Sequence, residues 1–210
     1  MVYLPPLFSE TRTEVLLAHI ERHDFGLLVT HGEAGMIASQ IPFLAERRGD
    51  RLYLLGHLAS ANPQAAELAG ECEALAIFAG PHAYISPGWY GAGPAVPTWN
   101  YATVHAYGAA RAIDDPVWLH ELVHRLSERH EAREPARRWQ MQDLPENYMQ
   151  MMLSGIVGFE IRVDRLEGKF KLSQNRPPAD RPRIIAALEE RADPDSRAVA
   201  QLMREREPAD

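Results

Sequence analysis

Alternation of side-chain character between residues 101 and 112 constrains the fold of this chain more than any other feature. Hydroxyl, imidazole and guanidinium groups occupy one set of positions, namely Tyr101, Thr103, His105, Tyr107 and Arg111. Alanine, valine and glycine occupy the intervening positions. A period of two is typical of a β-strand, and small residues on one face allow another layer to approach closely. The segment therefore predicts a long strand in an antiparallel, mainly β protein.

Shorter apolar segments separated by turn residues predict further strands and several helices. The strand candidates are residues 25–30, 36–45, 51–56, 74–79, 82–85 and 156–166. Helices are predicted over 13–23, 62–68 and about 115–131, and from Asp180 and Asp193 onwards, where Asp, Asn and Pro suit helix starts. Short hairpins without βαβ alternation favour a mainly β (α+β) fold, a β-barrel with peripheral helices. We expect one domain over 1–176 and a C-terminal helical extension over 177–210.

Charge limits the classes of function. The formal net charge is −7, which disfavours broad electrostatic binding to DNA, and no helix-turn-helix pattern is evident. One local cluster of arginines comprises Arg125, Arg129, Arg133, Arg137 and Arg138. Glu128, Glu131 and Glu134 interleave with these arginines, as is typical of a solvated helix face. Direct DNA binding is therefore only weakly indicated.

Other sequence features indicate a cytoplasmic protein with no membrane partner. No apolar segment approaches the roughly 20 residues that a membrane helix needs. The first residues lack the basic and apolar regions of a signal peptide. Cys72 is the single cysteine, so no intrachain disulfide is possible. Neither a dinucleotide-binding nor a Walker phosphate loop is present.

Residues 120–124 spell His-Glu-Leu-Val-His, which matches the HExxH pattern of helical zinc sites. On a helical wheel His120 and His124 lie opposite the apolar stripe of the same helix. Ser127 stands where the longer zinc motif has glycine. We therefore predict no metal site, and a zinc-dependent hydrolase is the second alternative for function.

Two polar clusters follow predicted strands and suit a flat anionic ligand. The first combines aromatic faces with short hydrogen-bonding groups: Thr30, Ser39, His57, Ser60, Asn62, Trp99, Asn100, Tyr101 and His105. The second follows the 156–166 strand: Lys169, Lys171, Gln174 and Arg176. Aromatics can stack on a conjugated ring, while hydroxyls, cations and the helix start at Asn62 can hold a phosphate. This combination describes FMN, although structural anchoring by the aromatics and solvated lysines are open alternatives.

Six segments in order along the chain carry a family resemblance. They are MVYLPPLF (1–8), LVTHGEAGMIASQIPFL (28–44), GHLASANP (56–63), GPHAYISPGWY (80–90), VPTWNYATVHAYG (96–108) and EGKFKLSQNR (167–176). The chain resembles the PaiB-type FMN-binding negative transcriptional regulators of bacteria. This resemblance implies a split β-barrel of the FMN-binding type and a homodimer with FMN at the subunit interface. Two departures are Gln40, where the family usually has His, and a short loop over 89–96.

The resemblance implies repression of sporulation and degradative-enzyme genes. We therefore expect a cytoplasmic, homodimeric FMN-binding transcriptional regulator that acts indirectly rather than through direct contact with DNA. The alternative is a flavin-dependent oxidoreductase of the same fold, with His105 or Tyr101 near the reactive ring. No catalytic residue is assigned.

Overall fold

The computed structural model describes residues 1–32, 35–91, 93–134 and 139–206. The chain divides into two compact units. Unit 1 comprises Met1–His19, Ala79–Val104 and Glu167–Asp210, and unit 2 comprises Ile20–Phe78 and His105–Leu166.

Eight strands form one sheet within the described ranges. They are β1 (Ser9–Glu10), β2 (Phe25–Gly32), β3 (Gly35–Pro42), β4 (Leu44–Arg48), β5 (Arg51–Ala59), β6 (Cys72–Ile85), β7 (Thr98–Ile113) and β8 (Ile156–Lys171). The hydrogen-bonded order is β3-β2-β6-β7-β8-β5-β4, and β1 pairs with β8. The β2–β3, β2–β6, β4–β5, β5–β8 and β1–β8 pairs are antiparallel. Antiparallel neighbours agree with the predicted fold class.

Six α-helices accompany the sheet in the described parts of the chain. They are α1 (Thr13–Arg22), α2 (Pro63–Glu67), α3 (Pro116–Glu131), α4 (Glu146–Leu153), α5 (Asp180–Glu189) and α6 (Pro194–Glu205). The side chains of Asn62, Asp115 and Asp193 accept hydrogen bonds from backbone N–H groups in the first turns of α2, α3 and α6. These three helices therefore start where their capping residues predicted.

The core of unit 2 lies around three fully buried phenylalanines. Phe43 makes edge contacts with Phe78 and Phe159, with ring centroids 5.3 and 6.2 Å apart. Helix α3 buries Leu122 and Leu126 against β4 and β5. Edge-to-face aromatic contacts and leucine packing together supply the apolar burial that stabilises this unit.

Two predicted divisions of the chain into strands are wrong. The segment 36–45 is two strands, because the Phe43 N–H donates to the Asp24 carbonyl at 2.8 Å and leaves the β2–β3 ladder. The segments 74–79 and 82–85 belong to a single strand, β6, which continues through Gly80 and Pro81.

The arginines of α3 and the turn after it pair with carboxylates outside that helix, which corrects the expectation of a solvated helix face. Arg125 lies 2.6 Å from Glu46, and Arg129 lies 2.7 Å from the buried carboxylate of Asp24. Arg133 lies 3.8 Å from the same carboxylate. Arg137 and Arg138 lie outside the described residues. Because these carboxylates lie outside α3, this part of the cluster fastens α3 to β4 and to the segment before β2 within unit 2.

None of the described helices is long and apolar enough to span a membrane.

In unit 1, Glu10 joins the N-terminal strand to the end of the C-terminal helix. Its side chain is 6% exposed and accepts hydrogen bonds from Arg12 at 2.9 and 2.6 Å and from Arg206 at 2.5 Å. Hydrogen bonding from Arg12, with help from Arg206 and against the opposing effect of burial, lowers the pKa of Glu10 from 4.5 to about 2. Because the folded pKa lies below the unfolded value, this carboxylate stabilises the fold above pH 4.5, and the contribution is lost as the pH falls towards 2.

Glu10→Gln should therefore lower the free energy of unfolding by on the order of 2 kcal/mol at neutral pH. The difference from wild type should shrink as the pH falls through the range below 4.5, as measured by urea unfolding at a series of pH values. Glu14→Gln, at an exposed position of α1, is the matched control. A penalty for Glu10→Gln that did not change with pH would contradict this account.

Candidate functional site

The two lysines of the chain, Lys169 and Lys171, lie on one face at the end of β8 in unit 1. Residues two apart in a strand share a face. The predicted end of this strand at residue 166 is wrong, because β1 pairs with β8 and places Ser9 opposite Lys169. The lysines are therefore part of a rigid strand rather than of a loop that follows it.

Lys169 is a buried ammonium group with one hydrogen-bond acceptor. Its side chain is 7% exposed, and Nζ donates to the Tyr3 carbonyl oxygen at 2.7 Å. Nζ also lies 5.1 Å from the centroid of the Tyr3 ring and 5.5 Å from that of Tyr101. An ammonium group has three N–H donors, so most of the donor capacity of Lys169 is left for another acceptor.

Lys171 binds the first residues of β7. Its Nζ donates to Thr98 Oγ1 and to the Trp99 carbonyl oxygen, both at 2.6 Å, and lies 5.9 Å from the Phe8 ring centroid. Burial, and then the charge of Lys169, lower the pKa of Lys171 below its ordinary value. The two ammonium groups therefore repel one another in a partly desolvated place.

We call Tyr3, Phe8, Tyr101, Lys169 and Lys171 the lysine cradle. Within the described ranges neither ammonium group has a carboxylate partner. Aromatic faces compensate a buried cation only in part, and a desolvated charge without a counter-ion costs several kcal/mol. The cradle therefore suits an anion with several oxygen atoms.

An exposed aromatic surface adjoins the cradle. Trp99 is 52% exposed, and its backbone carbonyl binds Lys171. The Trp99 ring packs against His82 and Tyr84, with centroids 6.0 and 5.9 Å apart. FMN combines a dianionic phosphate with a flat conjugated ring, so the free ammonium donors and the open indole face fit the two parts of this cofactor.

Two other predicted site residues in unit 1 hold the turn that follows β8. Asn100 is fully buried and donates from Nδ2 to Ser173 Oγ at 2.8 Å. Gln174 accepts from the Leu172 N–H at 2.6 Å and donates to the Phe170 carbonyl at 2.5 Å. Ser173 has a φ of 61°, so this turn is strained for a residue other than glycine and needs such support. Asn100 and Gln174 therefore shape the end of the cradle's strand.

Arg176 was also predicted to bind the cofactor. Its guanidinium stacks 3.7 Å from the Tyr90 ring centroid and lies 3.6 Å from the Asp180 carboxylate. These contacts connect the segment after β8 with α5 and with the segment around Tyr90. FMN contact by Arg176 stays a prediction.

In unit 2 the structure brings Thr30, Ser39 and Asn62 together around Gln64. Asn62 Nδ2 donates to Ser39 Oγ at 2.9 Å, and Asn62 Oδ1 accepts from the Gln64 N–H at 3.0 Å. The buried Gln64 amide donates to Thr30 Oγ1 at 3.0 Å, and the Thr30 hydroxyl donates to Glu67. The start of α2 is therefore occupied by the Asn62 side chain, and the five-residue helix offers little to an anion.

The remaining predicted residues also belong to unit 2. His57 lies inside β5, which continues to Ala59, and burial lowers the pKa of its imidazole. The Ser60 N–H donates to the Gly155 carbonyl at 2.9 Å. His105 Nδ1 lies 3.4 Å from the Tyr107 hydroxyl. The predicted site residues are thus divided between the units: Trp99, Tyr101, Lys169 and Lys171 gather in unit 1, and Thr30, Ser39 and Asn62 gather in unit 2.

The HExxH match does not form a recognisable metal site. His120 is exposed and His124 is about one-third exposed, while Leu119, Leu122 and Leu126 bury the other face of α3. Across the ranges that the structure describes, no group of three His, Cys, Asp or Glu side chains is placed to hold a metal ion. The geometry gives no support to a zinc hydrolase.

Tyr3 and Phe8 are site residues that local sequence patterns did not identify. Lys169 and its acceptor on Tyr3 are separated by 166 positions, so no periodicity connects them. The accumulation of aromatic residues and prolines in MVYLPPLF was the available signal, because such a segment is suited to packing on a surface.

Comparisons with known proteins agree with the fold and with FMN as the cofactor. Residues 2–165 match the family model described as Putative FMN-binding domain. The chain is 34% identical over 205 residues to the Protease synthase and sporulation protein PAI 2 of Bacillus subtilis (strain 168), with 98% of each chain covered.

Two solved structures share the fold at low sequence identity. The flavocytochrome from Azotobacter vinelandii has a TM-score of 0.55 and 13% identity, covering 78% of this chain and 69% of that chain. The FAD and heme binding protein from Mycobacterium smegmatis has a TM-score of 0.54 and 16% identity, covering 78% and 73%. The predicted split β-barrel class is confirmed by these neighbours.

The family match and the PAI 2 match rest on most of the chain. FMN, the cofactor predicted from the sequence, is the one that the family description names. Because the family model covers residues 2–165 and PAI 2 aligns over nearly the full length, the chain belongs to the Putative FMN-binding domain family and is of the PaiB type.

Proposed function

We propose that this protein binds FMN with the phosphate at the lysine cradle, functions as a homodimer, and acts indirectly as a negative regulator of gene expression. The observation that carries this proposal is the pair of ammonium groups, Lys169 and Lys171, that have no carboxylate partner in the described residues. FMN when bound supplies a visible chromophore and redox chemistry. The chain itself binds the phosphate with the two lysines and offers Trp99 and Tyr101 to the ring.

Exposed aromatic side chains support the homodimer. Tyr3, a residue of the lysine cradle, is 82% exposed, and Trp99, which adjoins the cradle, is 52% exposed. A second copy of the chain would cover these rings and exclude water from the flavin, because aromatic side chains are enriched in the buried centres of interfaces.

Charge supports an indirect rather than a direct effect on DNA. The net charge is −7, and Arg125 and Arg129 of the arginine cluster are bound to Glu46 and Asp24. Arginines already paired with carboxylates are poorly available to a phosphate backbone. The name of PAI 2, which refers to protease synthesis and sporulation, supports regulation of such genes.

The protein purified from its own host or reconstituted with FMN should show the flavin absorbance bands, and denaturation should release a molecule with the mass of FMN. A colourless protein that FMN cannot reconstitute would overturn the binding proposal.

Bleaching of the bound flavin by NADH or NADPH would favour the oxidoreductase over the regulator. A flavin that these reductants leave oxidised, together with increased protease and sporulation gene expression in a deletion strain, is expected for the regulator.

A further inference from the structure

We propose that unit 2 contains a separate anion site that binds a small oxyanion, either inorganic phosphate or a phosphate monoester. A cavity of about 240 Å³ opens on the sheet surface formed by β5, β7 and β8. Its lining residues are Arg51, Tyr53, Glu71, Ala109, Arg111, Glu160 and Arg162. Arg111 belongs to the alternating face of residues 101–112.

A buried carboxylate in the lining of this cavity fixes two guanidinium groups, that of Arg111 in the lining and that of Arg48 beside it. Glu160 is 4% exposed. Its Oε1 accepts from Arg111 Nε and Nη2 at 3.1 and 2.8 Å, and its Oε2 accepts from Arg48 Nη1 at 2.6 Å. Arg48 also stacks 4.4 Å from the centroid of the Tyr53 ring. Side chains held in this way lose little conformational freedom when a ligand binds.

Two further arginines complete the cavity wall. Arg162 stands opposite Tyr53 in the β5–β8 register, and its Nε lies 3.4 Å from the exposed carboxylate of Asp164. Arg51, at the start of β5, has no ion pair within the described residues. Guanidinium groups present several N–H donors in a plane, which matches the oxygens of phosphate. Arg51, Arg111 and Arg162 can therefore contact one oxyanion together.

Charge and size decide which ligand class fits. The lining holds three arginines and two glutamates, a formal excess of one positive charge. Arg48, outside the lining, is shared between Glu160 and Glu46 and adds no net charge. This local positive excess occurs in a chain with a net charge of −7, so it does not follow from composition. The cavity volume is below the range of about 300–1,000 Å³ that is usual for drug-sized ligands. A compact anion is therefore favoured over a nucleotide.

Isothermal titration calorimetry with inorganic phosphate tests this proposal. The protein is first saturated with FMN, so that the lysine cradle is filled and cannot bind the added phosphate. Arg51→Gln should weaken phosphate binding about tenfold, since a charge-assisted contact is lost. Arg47→Gln removes the same charge from the neighbouring strand outside the cavity and should leave the affinity unchanged. If the protein does not bind FMN, the same titrations are made in the Lys169→Gln/Lys171→Gln background, so that failure of the cradle and failure of this site are separate results.

Glycerol phosphate distinguishes the two sources of the anion. Binding tighter than that of inorganic phosphate assigns the site to a phosphate monoester, and equal or weaker binding assigns it to free phosphate. Phosphate binding that is absent, or equal in wild type, Arg51→Gln and Arg47→Gln, would overturn the proposal. Light scattering is the second readout: an altered molecular mass in Arg51→Gln at unchanged phosphate affinity would show a subunit contact instead, and would overturn it as well.

Discussion

Replacing both lysines, as Lys169→Gln/Lys171→Gln, should weaken FMN binding by at least about a hundredfold, because two charge-assisted contacts to the phosphate are lost. Both ammonium groups lie on one face of β8 and have donors that no carboxylate in the described residues satisfies. Quenching of flavin fluorescence on titration of FMN with protein measures the effect.

Riboflavin provides the control for this experiment, since it has the ring of FMN without the phosphate. Wild type should bind FMN much more tightly than riboflavin, and the double variant should bind them about equally. Lys169→Arg/Lys171→Arg keeps both charges and should retain part of the preference for FMN. A glutamine variant that still preferred FMN strongly would show that the phosphate lies elsewhere.

Gly108→Ala should lower the free energy of unfolding by about 3 kcal/mol or prevent folding, because a side chain there collides with backbone rather than with a movable side chain. In unit 2, a methyl group at Gly108 would overlap the carbonyl oxygen of Arg162 and lie 2.8 Å from the Arg162 carbonyl carbon. It would also lie 3.1 Å from the Val163 Cα atom. The collision would force β7 and β8 apart. Urea unfolding followed by circular dichroism measures the loss.

Gly70→Ala is the matched control for Gly108→Ala. No atom lies within 4 Å of the position that a methyl group would occupy at Gly70, so its effect on stability should be a few tenths of a kcal/mol. Similar unfolding free energies for the two variants would contradict the close approach of the two strands.

The long alternating strand was predictable because the alternation of residue types along it matches the alternation of buried and exposed side chains. Ala102, Val104 and Ala106 are buried, while Thr103 and His105 on the other face are only half-buried. The starts of helices were also predictable, because a capping hydrogen bond involves only one side chain and the backbone of the first turn that follows it. The fold class follows from these local patterns and from the absence of βαβ alternation.

Features that depend on distant segments were not predictable from local patterns. β8 continues to Lys171 because Ser9 and Glu10 pair with it, and Phe43 interrupts a strand because its N–H binds the Asp24 carbonyl. The amide side chain of Asn100 is of a type that often binds ligands, but it is buried against Ser173. The same amide chemistry serves a binding site and a structural contact, so residue type alone could not separate them.

The measurement that tests the central claim most directly is the NMR spectrum of protein labelled with ¹³C only in its lysines. The chain has two lysines, so every labelled side-chain signal belongs to the cradle. FMN should shift the signals of both side chains, and the pKa of Lys171, which burial and Lys169 lower in the free protein, should rise as the phosphate supplies negative charge. Riboflavin should leave that pKa low. Lysine signals and a Lys171 pKa that stay unchanged in the presence of saturating FMN would contradict the assignment of the phosphate to the lysine cradle.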